Sequence, residues 1–475
     1  MRGRTLGRRS AGRLLLWMLL GIALVALGYT GARWAPIVNA GSGYAAKNIC
    51  SGHFLSGFDP QLVVDQALIG ASPLLGRVSY EVDTDAQQVR TRLFGLFPRV
   101  AQYSPMLGCT LLPSGSNAAA PQIEAVQAPE RTTADEWPIA SLTPVVREEL
   151  DALLAAAFEE TDPARPRNTK AVAIVHRGQL IAERYADGVG PETPLLGWSM
   201  TKSVTGLLVS LLVKDGLLDV SEPAPVPEWQ DEASDPRARI TLDQLLRMSS
   251  GLAFNETYGP GSDVTQMLSG ESDMGAFAAR MPLTSAEGTT WAYSSGTSNI
   301  VAGIVRRAAG GTAQDAYAFA QRRLFQPLGI RTAVMEVDAS GTFVGSSYMY
   351  ASARDWARLG WLCLADGRWQ NEQLLPPAWL SYLTTPAPAN PANNYGAHFW
   401  LNQDPTDPVT ARVFPSLPTD AYAMDGYQGQ AVIMVPSAEL VVVRLGFTPR
   451  GNDGIEALVA GVIRVLGAAS IASAD

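Results

Sequence analysis

Residues 198–204, Trp-Ser-Met-Thr-Lys-Ser-Val, begin an apolar stretch that runs to Val213 without a proline. Asp215-Gly216 follows, and because glycine commonly ends such a run, the stretch predicts an α-helix. Residues three apart share one face of a helix, so Lys202 can present its amine to the Ser199 hydroxyl. A serine needs a base to take its proton, and a lysine made neutral by burial can be that base. We predict Ser199 as nucleophile and Lys202 as base, with an ordinary surface pair as the alternative.

A second group of candidate residues lies in the segment GTTWAYSSG, residues 288–296, just before a stretch of helical periodicity that starts at Asn299. Tyr293 can relay protons between a nucleophile and a leaving group. Ser295 can form a hydrogen bond with Lys202 or with a substrate. Taken alone, Tyr293 is equally well explained as a core aromatic residue, so its interpretation depends on its position relative to Ser199.

Apolar strand pairs occur near both ends of the main domain, each joined by a short turn. They are 171–175 with 180–185, and 431–435 with 440–445. Helical periodicity surrounds them at 145–159 and 455–466 and fills the middle at 242–248 and 299–309. The pattern predicts an α/β (α+β) fold in which both ends of the domain close one central antiparallel β-sheet flanked by helices.

Ser199-Met-Thr-Lys202 followed by Tyr293-Ser-Ser295 resembles the serine β-lactamase and penicillin-binding-protein superfamily. It is most similar to the class C-like branch, with its esterases and 6-aminohexanoate-dimer hydrolases. The segments 240–252, 324–330 and 350–360 agree with this branch, and the resemblance covers about residues 145–466. It implies a central antiparallel sheet, a helical subdomain and an acyl-enzyme mechanism on a small ester, amide or peptide.

The third motif of this superfamily differs in this chain. Members usually carry Lys or His, then Thr or Ser, then Gly, on the strand that borders the site. Counting back from Pro436 places Met424-Asp425-Gly426 there, followed by Tyr427. The resemblance therefore supports acyl transfer better than β-lactam hydrolysis, because the cation that helps to hold a β-lactam carboxylate is missing. We expect the backbone at Ser199 and near Tyr427 to form the oxyanion hole, which needs no side chain.

Tyr258 resembles a position that supplies a tyrosine to the amide substrate in 6-aminohexanoate-dimer hydrolases, although an ordinary loop aromatic is the alternative. Three other functions stay open. The protein could be a true β-lactamase or D-Ala-type peptidase, or an inactive module that binds wall peptides. A Ser-His-Asp triad would have to use His53, His176 or His398, and no Gly-x-Ser-x-Gly elbow accompanies them.

The first 35 residues predict a membrane anchor. Five arginines precede the uncharged stretch from Leu14 to Ala32, which is 19 residues long and just sufficient to span a bilayer. The basic flank would stay in the cytoplasm, which places the main domain outside it, in the periplasm of a Gram-negative cell. A cleaved signal peptide is the alternative, and Arg8-Arg9 weakly resembles a twin-arginine signal.

The rest of the chain divides into an N-terminal region of unassigned role, 36–113, a linker rich in Ser, Ala and Pro, 114–143, and the main domain, 144–475. After export Cys50 and Cys109 could form a disulfide, with two free thiols as the alternative. Cys363 lies in an apolar segment that predicts a buried helix. A net charge of −9 argues against nucleic acid as a partner. We expect no metal and no cofactor, because the chain has no Cys-x-x-Cys and no His-rich cluster.

Overall fold

The computed structural model describes residues 17–18, 34–116, 118–127, 137–230, 234–406, 411–449, 451 and 454–472, with side chains to residue 468. Except for residues 17 and 18, the predicted anchor at Leu14–Ala32 lies outside these ranges. Within them, no helix combines the length and the apolar character that crossing a bilayer requires.

A six-stranded antiparallel sheet, called the central sheet here, forms the middle of the main domain. Its strands, in spatial order, are Trp400–Leu401, Tyr422–Gly426, Gln430–Val435, Leu440–Gly446, Thr169–His176 and Gln179–Tyr185. The predicted closure by both ends of the domain is confirmed, because Leu440–Gly446 pairs with Thr169–His176 and places Val442 opposite Ile174. The expected central antiparallel sheet flanked by helices is therefore present.

Both faces of the central sheet are covered, which explains why its inner strands are apolar throughout rather than alternating. On one face Ile174 and Val442 pack with Pro144–Phe158 and Ile455–Ala472. On the other face Ala173 and Val443 belong to the larger core, to which the helices Met200–Lys214 and Ala353–Leu364 contribute. Cys363 is a buried free thiol in the second of these helices, as the sequence predicted.

Helices fill the described part of the chain between the two ends of the sheet. Those not yet given are Leu242–Leu246, Asp263–Gly270, Met274–Ala279, Ser295–Ala308, Ala313–Ala320 and Trp379–Thr384. Short strands form a three-stranded sheet of Leu195–Leu196, Met349–Ala351 and Val334–Met335, and a hairpin of Arg368–Trp369 and Glu372–Gln373. The strand Leu195–Leu196 lies directly before the helix that carries Lys202.

The N-terminal region has a small fold of its own. A helix over 34–54 and short helical turns between Pro60 and Arg77 pack on a four-stranded antiparallel sheet. The strands are Val78–Asp83, Gln88–Leu93, Leu96–Ser104 and Gly108–Leu111. Of the two alternatives for Cys50 and Cys109, the structure shows the disulfide, which joins the helix to the last strand.

The N-terminal region packs against the main domain through a buried ion pair and a continuous apolar core. Lys47 contacts the carboxylate of Glu336, which also accepts hydrogen bonds from Ser51 Oγ at 2.8 Å and from the Cys109 N–H at 2.7 Å. Buried side chains of both parts, such as Ile49 and Met349, belong to one hydrophobic cluster. The helix over residues 34–54 consequently lies directly against the main domain.

Candidate active site

Ser199 lies in a tight turn at the start of the helix Met200–Lys214. Trp198 has a φ of +48°, which non-glycine residues rarely adopt, and its carbonyl accepts a hydrogen bond of 2.7 Å from Thr201 Oγ1. A Cβ on Gly197 would lie 2.3 Å from the indole of Trp356, so the turn requires glycine there. The Ser199 side chain makes no capping hydrogen bond to the helix, which leaves its hydroxyl for other partners.

Lys202 is buried one turn further along, with its amine beside the Ser199 hydroxyl. Its Nζ lies 3.1 Å from Ser199 Oγ, 3.1 Å from Ser295 Oγ and 2.9 Å from the carbonyl oxygen of Ser346. Burial lowers the pKa of Lys202 to about 8, against the opposing effect of the nearby Glu256 carboxylate. An appreciable fraction of the lysine is therefore neutral near physiological pH.

The partners of Lys202 aim its lone pair at the candidate nucleophile. Ser295 donates its hydroxyl proton to Glu256 over 2.6 Å, so its oxygen can only accept from the lysine. The Ser346 carbonyl is likewise an acceptor. When the amine is neutral, its two N–H groups point to these two oxygens and its lone pair faces the hydroxyl of Ser199. This arrangement suits a general base.

Glu256 is a site residue that the sequence reasoning missed. Its carboxylate accepts the Ser295 hydroxyl and also the Ser295 N–H, at 2.7 Å, and it interacts with the Tyr258 hydroxyl. Burial raises its pKa, while Lys202 and the bonds from Ser295 act in the opposite direction. The available signal was its place two residues before Tyr258, which the sequence analysis had singled out.

Tyr293 is brought to the same point from the loop before the helix Ser295–Ala308. Its hydroxyl forms a hydrogen bond with Ser199, and its ring lies 4.8 Å from Lys202 Nζ. Burial raises the pKa of Tyr293 well above its usual value, and Tyr395 adds to the effect, so the phenol stays protonated at neutral pH. Trp400 packs on the same ring, with centroids 5.5 Å apart.

The third motif lies on the strand Tyr422–Gly426, beside the nucleophile turn. A Cβ on Gly426 would be 2.2 Å from the carbonyl oxygen of Gly197, so this glycine permits the close approach of strand and turn. Met424 is fully buried in the core, while Asp425 is close enough to influence the pKa of Tyr293. No cation replaces the missing lysine or histidine on this strand.

Tyr258 and Tyr427 form an aromatic rim beside the turn. Their rings stack with centroids 5.8 Å apart and an interplanar angle of 3°, and Tyr427 meets Trp198 edge-on at 5.6 Å. Behind Trp198 lies Tyr44 of the N-terminal region, stacked at 6.1 Å. The sequence reasoning gave Tyr44 no role, because nothing local to it indicates that its helix reaches this turn.

The histidines do not support a triad, and all three lie in the described part of the chain. His398 is buried beneath the site, where its ring nitrogens contact the Lys202 carbonyl oxygen at 2.9 Å and Ser298 Oγ at 3.1 Å. Burial lowers its pKa to about 3. His53 contacts the Phe58 carbonyl, and His176 ends a strand of the central sheet. Among the described residues, no group of acidic, His or Cys side chains could hold a metal ion.

Comparison with known proteins identifies the family to which the chain belongs. A beta-lactamase family model matches residues 154–455. The 6-aminohexanoate-dimer hydrolase of Paenarthrobacter ureafaciens is 24% identical over 337 residues, which cover 66% of this chain and 80% of that protein.

Two solved structures show the same fold. A penicillin-binding protein homologue from Caulobacter crescentus has a TM-score of 0.51 at 17% identity, covering 69% of this chain and 99% of that one. EstCE1, a hydrolase with promiscuous acyltransferase activity, has a TM-score of 0.53 at 16% identity, covering 68% and 98%. Because the family model spans more than half of the sequence, the chain belongs to the beta-lactamase family and is a serine hydrolase.

Proposed function

We propose that the protein hydrolyses small esters or amides through an acyl-enzyme formed on Ser199. The observation that carries the proposal is the position of Lys202, whose amine lies 3.1 Å from the serine oxygen between two fixed acceptors. A lysine in a surface pair would have neither the burial nor the lowered pKa. Tyr293, Ser295 and Tyr427 complete the proposed machinery.

In acylation, neutral Lys202 takes the proton of Ser199 while the serine oxygen bonds to the substrate carbonyl carbon. The carbonyl oxygen becomes an oxyanion, which the backbone N–H groups of Ser199 and Tyr427 would stabilise. The tetrahedral intermediate then expels its alcohol or amine. Tyr293 donates a proton to this leaving group and regains one from the Lys202 ammonium, which returns the lysine to its neutral state.

In deacylation, a water molecule replaces the departed group. Lys202 takes one of its protons as the oxygen attacks the acyl carbon, and the second tetrahedral intermediate releases the carboxylic acid. The proton then returns to Ser199. Tyr258 would border the acyl or leaving group from the rim, and Gly426 allows the strand to lie close enough to contribute the Tyr427 N–H.

The charges around the site favour substrates without a carboxylate beside the scissile bond. Asp425 and Glu256 lie near the reacting groups, and a carboxylate 4 Å from either would cost about 4 kcal/mol at an effective dielectric near 20. Arg412 donates hydrogen bonds to the Pro415 and Leu417 carbonyls and the buried Arg444 donates to the Gly429 carbonyl, so backbone oxygens already engage both guanidinium groups. The acidic side chains near the site, and the absence of a cation on the strand beside it, argue against a true β-lactamase or a D-Ala-type peptidase.

We also propose that the main domain works outside the cytoplasm, anchored by residues 1–35. The disulfide between Cys50 and Cys109 supports this location, because such bonds persist in oxidising compartments. The uncharged stretch after a basic flank supports the anchor. The membrane is then a partner through this segment, and the substrate is a small molecule of the exported space.

The test compares kcat/KM of the purified protein for a short-chain nitrophenyl ester and a chromogenic cephalosporin. We expect kcat/KM to be higher for the ester than for the cephalosporin. We also expect Ser199→Ala to abolish ester hydrolysis. Labelling of Ser199 by a fluorophosphonate separates a hydrolase from an inactive wall-peptide-binding module. Equal or faster cephalosporin turnover would overturn the substrate assignment, and a Ser199→Ala variant that keeps a tenth of its kcat would overturn the mechanism.

A further inference from the structure

Five large apolar side chains at one end of the N-terminal region are exposed to solvent. They form what we call the apolar tip: Trp34, Leu74, Phe94, Leu96 and Phe97, each 38% to 56% exposed. Single exposed apolar residues are ordinary, but a group of this size gathered at one end usually marks a contact surface. Nothing in the proposed hydrolysis uses these residues.

Contacts along the helix 34–54 show that the apolar tip lies at the amino end of this helix. Ser42 Oγ accepts a hydrogen bond of 2.9 Å from the Leu93 N–H and donates one of 3.5 Å to the Leu96 carbonyl. Toward the other end of the helix, Phe54 stacks on Tyr103 with centroids 5.3 Å apart. The strand Leu96–Ser104 therefore runs alongside the helix, and the turn that precedes it points the same way as the helix start.

The folded body ends close to Trp34. Leu75 and Leu93 pack against the helix at Gly41, and Val38 is still buried. From Val38 to Trp34 the helix rises four residues, which is about 6 Å. This distance is similar to the thickness of the interfacial layer of a bilayer, which is about 5–8 Å on each side of the hydrocarbon core.

The turn at residue 94 and the start of the strand after it carry apolar residues where a hairpin ordinarily has polar ones. Phe94, in the turn, and Phe97, the second residue of that strand, have φ values of +55° and +46°, a conformation that Gly, Asn and Asp adopt more readily than phenylalanine. Both rings remain exposed, so burial within the protein does not compensate this strain. The phenylalanines are therefore better explained by contact with another surface than by a contribution to the stability of the fold.

The chain before Trp34 identifies the contact. Residues 14–32 are the uncharged apolar stretch proposed above as a membrane anchor, and Trp34 follows it almost directly. Aromatic residues are enriched where a protein meets the lipid headgroups, and the exposed Arg77 and Arg92 beside the tip suit anionic ones. We propose that the apolar tip inserts into the interfacial layer of the bilayer in which residues 14–32 are anchored.

The proposal rests on the anchor and is independent of the hydrolytic chemistry. A single anchor would let the protein tilt freely, whereas an anchor together with the apolar tip makes two contacts with one surface. The second contact fixes the orientation of the N-terminal region to the membrane. The main domain follows, because Lys47–Glu336 and the shared core join the two parts.

The test places an environment-sensitive fluorophore on Phe94→Cys in the full-length chain, reconstituted in vesicles of phosphatidylcholine and phosphatidylglycerol. Asp85→Cys is the matched control, because Asp85 lies in the exposed turn at the opposite end of the same sheet. Lipids brominated near the headgroup should quench the label at 94 about twofold and leave the label at 85 unchanged. The midpoint of thermal unfolding, compared with that of the parent protein, checks that each variant is folded, and Leu96→Cys replaces Phe94→Cys where it is not.

Equal quenching at both positions would overturn the proposal, as would failure of the full-length chain to enter the vesicles. A blue-shifted label that brominated lipids do not quench would also overturn it, because the tip would then contact protein. If that shift depends on protein density, the occupant is a second copy of this chain. None of these readouts depends on which substrate the enzyme hydrolyses, so the proposed function can fail separately.

Discussion

Two buried lysines, one in each part of the molecule, differ in what lies against their amines. Lys47 and Lys202 are 3% and 1% exposed, and burial lowers the pKa of both. Lys47 contacts the carboxylate of Glu336 directly, whereas Lys202 contacts two serine hydroxyls and one carbonyl. Beside Lys202 the Ser295 hydroxyl lies between the amine and the carboxylate of Glu256.

This difference separates a structural lysine from a candidate base. A carboxylate in contact stabilises the protonated amine and removes any use for its lone pair. A carboxylate behind a hydroxyl orients that hydroxyl and stabilises the ammonium less, so the pKa of Lys202 settles at about 8. Both lysines are buried, so burial does not distinguish their roles. The roles differ because the group in contact with the amine is a charged carboxylate at Lys47 and a set of neutral oxygens at Lys202.

The largest effect should come from Lys202→Arg. Arginine keeps the positive charge but does not deprotonate in a protein, so kcat/KM for a nitrophenyl ester should fall about 10²- to 10⁴-fold. Lys202→Ala should be about equally damaging. An arginine variant that stays active would show that the charge, rather than the lone pair, is what the site needs.

At the other lysine the effect should be on stability. Lys47→Met leaves Glu336 buried without its cation, and we expect the free energy of unfolding to fall by about 3–5 kcal/mol in urea titrations. The double variant Lys47→Met with Glu336→Leu should recover much of this loss, because no charge then stays buried. A single variant as stable as the parent protein would contradict the assigned structural role.

The pH dependence of hydrolysis should report the pKa of Lys202. The base must be neutral, so kcat/KM should be level above pH about 8 and fall about tenfold for each pH unit below it. The sign follows because lower pH protonates the amine. A limb that rises toward acid pH instead would mean that a protonated group, rather than a neutral amine, starts the reaction.

The smallest effect should come from Glu256→Gln. The carboxylate raises the pKa of Lys202, so its neutral replacement should move the acid limb to lower pH. Gln keeps an oxygen that can accept a hydrogen bond from the Ser295 hydroxyl. The change in kcat on the plateau should therefore be smaller than the change in kcat/KM measured at a pH on the acid limb. An unmoved limb together with lost activity would indicate that Glu256 only supports the loop.

Sequence reasoning could predict the elements that local patterns determine. The two apolar strand pairs and the helix after Ser199 follow from periodicity and from Asp215-Gly216, and the structure shows them with boundaries shifted by one to a few residues. The contact between Ser199 and Lys202 follows from helical spacing alone. These elements and this contact could be predicted because they depend only on residues close together in the sequence.

The rest depends on contacts between distant segments. Lys47 and Glu336 are 289 residues apart, and neither stands in a pattern that indicates a partner. Glu256 reaches Ser295 only because of the path that its loop takes, and Tyr44 reaches Trp198 only through the docking of its helix. Propensity and spacing carry no information about such docking.

The pairing of Thr169–His176 with Leu440–Gly446 also has a consequence for biosynthesis. A ribosome releases the earlier strand while more than half of the main domain is still untranslated, so its hydrogen-bonding edge waits for a partner. Until the last strands arrive, nascent chains expose that edge to proteases and to one another. A premature stop at residue 430 would leave every side chain proposed for catalysis in the product, without the two strands that join the halves of the central sheet.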